Sequence, residues 1–147
     1  MSEPGLALRL ATAQDLPFAR TLTRRGMLTY YLRHDLLWLD VAFDVAWAGR
    51  ENWLICRDAA VLGFTSLSRD ANALYIRELH VSEAARGQGI GSWTIDQVFA
   101  LACQERRPAL RLTVFTDNPA QALYLRMGLQ IVGQDDCFLR MQRPCPR

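Results

Sequence analysis

An α/β fold of six or seven strands and about four helices is predicted for this 147-residue chain, and three observations predict it. Hydrophobic residues recur with a period of two in short runs and of about 3.6 in longer ones, and the two kinds of run alternate along the chain. Gly, Pro, Asn and Asp punctuate nearly every change of period. A strand-like run at Leu74–Val81 meets the glycine-rich turn Arg86-Gly87-Gln88-Gly89-Ile90-Gly91, which opens a helical segment in its turn. The resulting order is β-α-α-β-β-β-α-β-α-β-β. The length fits one domain over residues 1–147, with a core spanning about 6–142.

The first strand is the alternating run Leu6 to Leu10. Thr12-Ala13-Gln14-Asp15 carries a capping residue followed by an acid three positions on, so a helix should start near Ala13, with Pro17 tolerated in its first turn. Gly26 is expected to break it from a second helix covering Met27 to Trp47, with an interruption near Leu36 to Asp40. Trp53–Arg57, Val61–Ser68 and Ala73–Val81 read as three antiparallel strands joined by turns at Arg57-Asp58-Ala59-Ala60 and Asp70-Ala71-Asn72. Ile90 to Glu105 places Gly91, Ile95, Val98 and Ala102 on one helical face, and Pro108 ends the segment. Leu110–Phe115 is the next strand. Asn118 is a helix cap with Pro119 at the first position, and Gly128 ends that helix. Ile131–Gly133 and Cys137–Met141 close the chain as a hairpin around Gln134-Asp135-Asp136.

Composition narrows the function classes. A formal charge of +2, with all 17 basic residues arginine, is too small to imply nucleic-acid binding, and no basic stripe or recognition motif is present. Cys56, Cys103, Cys137 and Cys145 form no C-x-x-C pair, and the histidines number two, His34 and His80. No metal site and no disulfide framework are expected from that set. There is no signal peptide and no apolar run of membrane-spanning length, so a cytoplasmic protein with reduced thiols and no membrane partner is predicted.

The glycine turn is the most informative stretch. Glycines let the backbone turn tightly and bring its N–H groups to a ligand, and the following helix N-terminus favours negative charge. Arg86 adds a full positive charge, so a phosphate or pyrophosphate is the natural tenant. An NTP loop would need a Gly-Lys-Ser/Thr ending, and the chain contains no lysine. A dinucleotide fingerprint fits Gly87 and Gly89 but fails at Ser92, and its first strand should begin the fold. The spacing that fits is Arg-x-x-Gly-x-Gly. Here the chain resembles the GNAT superfamily of N-acetyltransferases, whose acetyl-CoA loop reads [RQ]-x-x-G-x-[GA]. A second match, Asn118-Pro119-Ala120-Gln121-Ala122-Leu123-Tyr124-Leu125-Arg126-Met127-Gly128-Leu129, is similar to the family's N-x-x-A-x-x-[LF]-Y-x-x-x-G-[FL] helix.

The resemblance implies the GNAT fold, a twisted mixed sheet with helices on both faces whose fourth and fifth strands splay around the pantetheine arm. It implies acetyl-CoA as the acetyl donor and no metal. Carried over, the strand edge Leu79, His80 and Val81 would bind pantetheine. Arg86, Gly87, Gln88, Gly89, Ile90, Gly91 and Ser92 would hold the pyrophosphate, with Asn118, Ala120 and Tyr124 also contacting cofactor. A homodimer is common in the superfamily, and no coiled-coil signature identifies one here.

Acetyl transfer to an amine needs a neutral attacking nitrogen and a protonated leaving thiolate. Glu78, near the end of the fourth strand, is the candidate base, acting through water; an ion pair with a neighbouring arginine is its alternative role. Tyr124 is the candidate acid, with helix–sheet packing as its alternative. His80, on the same strand face as Glu78, is a second base candidate. Tyr30, His34 and Trp38, spaced four residues apart, line one wall of the acceptor pocket or else seal their helix onto the sheet. Asp35, Asp40 and Asp44 are candidate helpers that would make the mouth negative. The expected activity is transfer to a primary amine of a small molecule. A protein or peptide N-terminal acetyltransferase, a non-catalytic acetyl-CoA sensor and a nucleotide-binding module are the alternatives.

Overall fold

The computed structural model describes residues 5–147. Its elements follow the order read from the local signals: β1 (Leu6–Leu10), α1 (Leu16–Arg33), α2 (Asp40–Ala48), β2 (Glu51–Arg57), β3 (Ala60–Arg69), β4 (Leu74–Val81), α3 (Ile90–Gln104), β5 (Ala109–Phe115), α4 (Ala120–Arg126), β6 (Gln130–Asp135) and β7 (Phe138–Pro144). The seven strands form one mixed sheet in the order β1-β2-β3-β4-β5-β7-β6. The β4–β5 pair is parallel, as a crossover through α3 requires. Its register runs only from Leu74↔Leu110 to Ile76↔Leu112, and β4 continues to Val81. The last strand, β7, lies between β5 and β6 and pairs antiparallel with both.

Two helix boundaries differ from the sequence reading. A 3-10 turn at Ala13–Asp15 precedes α1, with the Thr12 N–H donating to the Asp15 carboxylate at 2.8 Å. α1 then runs unbroken through Gly26 to Arg33. A single glycine costs a helix only about 1 kcal/mol. At Gly26 a Cβ would stand 3.5 Å from His80 Nδ1, so this position meets β4 closely. The break falls instead at residues 34–39, where Asp35 takes a φ of +54°. The interruption near Leu36–Asp40 is thus the true boundary between the two helices.

The described residues pack as two compact units, residues 5–67 with 78–90, and residues 68–77 with 91–147. In the first unit, Ala19, Phe43, Trp47, Leu54, Cys56 and Phe64 form a buried cluster. Phe64 meets Trp47 at 5.8 Å and Phe43 at 6.4 Å between ring centroids. A fork of two hydrogen bonds from Arg20 to Asp44, at 2.8 and 2.9 Å, ties α1 to α2. In the second unit the buried residues include Leu110, Leu112 and Val114 of β5, Leu139 and Met141 of β7, and Ile95, Val98 and Ala102 of α3. Each fully buried Leu or Ile of these sets contributes roughly 1.5–3 kcal/mol.

Candidate functional site

In the first unit the site is built on the C-terminal half of β4. Glu78 and His80 are two residues apart on one strand, so both side chains leave the same face. His80 Nε2 and Glu78 Oε1 lie 2.8 Å apart, and Arg50, just after α2, brings Nη1 to 3.6 Å from Glu78 Oε2. Solvent competes little there, because the His80 side chain is 11% exposed and that of Glu78 22%. Phe64 stacks on the His80 ring at 5.6 Å. Both readings of Glu78 therefore meet in one place: it has an arginine partner, and it holds an imidazole against its other oxygen.

The backbone under this pair is fixed by β3. The Thr65 hydroxyl donates to the Glu78 carbonyl at 2.8 Å, and the Ser82 N–H donates to the Leu62 carbonyl at 2.8 Å. A Cβ on Gly63 would overlap the His80 carbonyl oxygen and stand 3.0 Å from Val81 Cα. Only glycine permits this approach. Leu79, His80 and Val81, the expected pantetheine edge, are all half-buried.

Tyr31 is a functional candidate that the sequence reading missed. Its phenol is pushed above its ordinary range, first by burial and then by the Glu78 carboxylate, with Arg50 opposing. It therefore stays a neutral donor at physiological pH. No local pattern marks it, since its importance comes from where α1 crosses β4.

The expected aromatic wall does not form as a helical stripe. Tyr30 lies in α1, His34 caps its end, and Trp38 sits in the following loop. Trp38 packs against Tyr31 at 5.4 Å and Phe43 at 5.9 Å, and its indole N–H donates to Asp40 Oδ1 at 2.8 Å. The sealing role fits Trp38 best. The acidic helpers are also largely engaged: Arg24 holds Asp40 at 3.0 Å and Arg20 holds Asp44. The Trp38 N–H, with Arg24 adding to it against desolvation, keeps the Asp40 carboxyl below its ordinary range. Asp35 is exposed in the turn after α1.

The glycine loop has the form its sequence requires. Gly87 and Gly89 both adopt a φ of +76°, a region most side chains avoid. A Cβ on Gly87 would meet nothing within 4 Å, so conformation alone demands glycine there. Gln88 is tied by Arg57 at 2.9 Å, and the Arg86 guanidinium donates to the Val81 carbonyl at 3.2 Å. The Arg86 N–H is bonded to the Glu83 carbonyl at 3.2 Å. Gly87, Gln88 and Gly89 are exposed while Ile90 is buried, anchoring the start of α3.

In the second unit, α3 and α4 meet where a Cβ on Gly91 would stand 3.1 Å from Leu123 Cδ2. Ser92, next along α3, is half-buried. The Asn118 side chain accepts from the Ala120 N–H at 2.9 Å, and α4 begins at Ala120. Pro119 is therefore the residue just outside the helix, one position earlier than expected. From Ala120 through Leu123, Tyr124, Gly128 and Leu129 the segment keeps the motif's spacing. Asn118, however, stands six residues before Tyr124 where the motif has seven. Its capping role is visible, and its cofactor role loses the support of register. Tyr124 is half-buried on α4.

Among the described residues no group of three His, Cys, Asp or Glu is placed to hold a metal ion. The Cys103 and Cys145 sulfurs lie 2.6 Å apart. Burial, and then that contact, push the Cys145 thiol up to about 12, which removes it as a nucleophile at neutral pH.

The model of the acetyltransferase (GNAT) family matches residues 20–129. Among solved structures, the chain is similar to the PaiA N-acetyltransferase from Thermoplasma acidophilum in complex with coenzyme A, at 14% identity and a TM-score of 0.74 over 95% of this chain and 98% of that one. It is similar to the ribosomal-protein-S18-alanine N-acetyltransferase from Escherichia coli, at 17% identity and 0.76 over 97% and 95%. It also resembles nourseothricin acetyltransferase, at 18% identity and 0.71 over 97% and 99%.

Proposed function

The chain belongs to the acetyltransferase (GNAT) family and is an acetyl-CoA-dependent acyltransferase, and from that premise we propose that it acetylates a primary amine of a small molecule by direct transfer. The loop amides from Gly87 to Gly91, with Arg86 and Ser92, hold the pyrophosphate of acetyl-CoA at the start of α3. Leu79, His80 and Val81 bind the pantetheine arm, and a β4 amide polarises the thioester carbonyl. Ala120 and Tyr124 complete the cofactor contacts, and Asn118 serves as the cap of α4.

The amine nitrogen attacks the thioester carbonyl carbon, and the tetrahedral intermediate collapses with cleavage of the carbon–sulfur bond. The nitrogen's proton passes through water to Glu78, which the adjoining His80 orients. The Tyr124 hydroxyl protonates the departing sulfur. The observation that carries this reading is the Glu78–His80 contact of 2.8 Å on a β4 segment clamped by Thr65 and Gly63.

The acceptor reading follows from the same face. Arginines hold Asp44 at 2.8 Å and Asp40 at 3.0 Å, whereas Arg50 stands 3.6 Å from Glu78, so Glu78 is the less tightly paired carboxylate that meets an ammonium group, beside the neutral Tyr31. Leu36, Leu37 and Leu39 are exposed on the neighbouring loop. One negative charge with apolar surroundings suits a compact monoamine with an apolar or aromatic body more than a polycation.

A pH–rate profile of wild type and Glu78→Gln tests the mechanism with one good acceptor. The variant should lose about 10²-fold in rate near neutrality, where the amine is mostly protonated. The deficit should shrink as pH rises and the free amine becomes neutral unaided. Parallel profiles would return Glu78 to a structural ion pair.

A further inference from the structure

The strands of the second unit carry an arginine-lined depression of about 390 Å³, and none of the residues assigned above to acetyl transfer lines it. Strand register explains how it forms. Tyr75 pairs with Arg111 and Arg111 with Gln142, which sets one row of side chains across β4, β5 and β7. Thr113 pairs with Arg140 in the next row, and Arg77 follows Tyr75 on the same face of β4. All six residues line the depression.

Three guanidinium groups are held there by mostly neutral partners. Arg111 donates through Nε to Gln142 Oε1 at 3.0 Å and through Nη1 to the Tyr75 hydroxyl at 3.5 Å. Arg77 lies over the Tyr75 ring, 4.3 Å from its centroid, and donates to the Ser68 hydroxyl at 2.7 Å. Among the described residues, neither Arg77 nor Arg111 has a carboxylate at ion-pair distance. Arg140 alone is ion-paired, with Asp135 at 2.8 Å, and that carboxylate is 65% exposed at the rim. A Cβ on Gly133 would overlap the Arg140 guanidinium, so the glycine lets that side chain lie flat against β6. Asp70 accepts from the Tyr75 hydroxyl at 2.8 Å and supplies the other nearby negative charge.

Fixed arginines with open N–H groups suit planar, multidentate oxyanions, and stacking and side-chain hydrogen bonds already cover the cost of ordering them. We propose that this depression binds a small molecule bearing two or more carboxylate or phosphate groups. A single charge would leave one of the two guanidinium groups that lack a carboxylate, Arg77 or Arg111, without an anion.

Calorimetric titration of the full chain at low ionic strength, with citrate and with inorganic pyrophosphate, tests this. Saturable binding of at least one probe is expected, and which probe binds distinguishes a carboxylate from a phosphate ligand. With the glycine loop occupied by saturating CoA, Arg111→Gln and Thr113→Glu should each weaken this binding by tenfold or more. Thr113 is exposed, so its variant keeps the test open if Arg111→Gln fails to fold. Absence of saturable binding for both probes would overturn the proposal. So would binding that saturating CoA abolishes, or that both depression variants retain.

Discussion

Glu78 could be singled out at the residue scale from strand alternation and its place near the end of the fourth strand, whereas its partners could not. Arg50 follows α2 and Tyr31 lies in α1, and both reach Glu78 only through the packing of distant segments. Gly26 shows the converse error. Glycine's low helix propensity reads as a break, yet the residue sits mid-helix where α1 approaches His80. Trp38 fits a helical stripe by its spacing, yet α1 ends five residues before it. Tyr124 is the residue whose proposed role is sharpest. Tyr124→Phe should lower kcat by roughly 10²-fold with little change in acetyl-CoA affinity, because it removes a proton donor and keeps the ring. Single-turnover measurement checks this where chemistry limits the rate. An unchanged rate would return Tyr124 to packing.

Nearly every element was legible, because each is bounded by its own caps, turns and hydrophobic period. What local signals do not encode is pairing: the insertion of β7 between β5 and β6 depends on contacts remote in sequence. The β3–β4 clamp is invisible for the same reason, since Gly63 reads only as a weak strand residue. Gly63→Ala should destabilise the fold by about 1–3 kcal/mol, as overpacked positions do, and a denaturant melt would show it. No loss would mean that β4 has room to shift. The glycine loop, by contrast, is local and was read directly. Gly89→Val adds a β-branched side chain at a φ of +76° and blocks backbone approach to pyrophosphate. Wild type should gain about 2.7 kcal/mol of stability at acetyl-CoA a hundred times its dissociation constant, and the variant should gain almost none. A folded variant with the full gain would remove the loop from the cofactor site.

For the molecule as a whole, family membership fixes the acetyl donor, and the acceptor rests on the electrostatics around Glu78. The expected ring of acids is mostly neutralised by Arg20 and Arg24, a compensation that charge counting along the sequence does not reveal. CoA thiol release from acetyl-CoA, followed across a panel of small primary amines and peptides with free N-termini, decides which acceptor the site takes. Turnover is expected on at least one compact amine with an apolar or aromatic body, faster than on any peptide tested. Release confined to peptide N-termini, with every small amine inert, would contradict it.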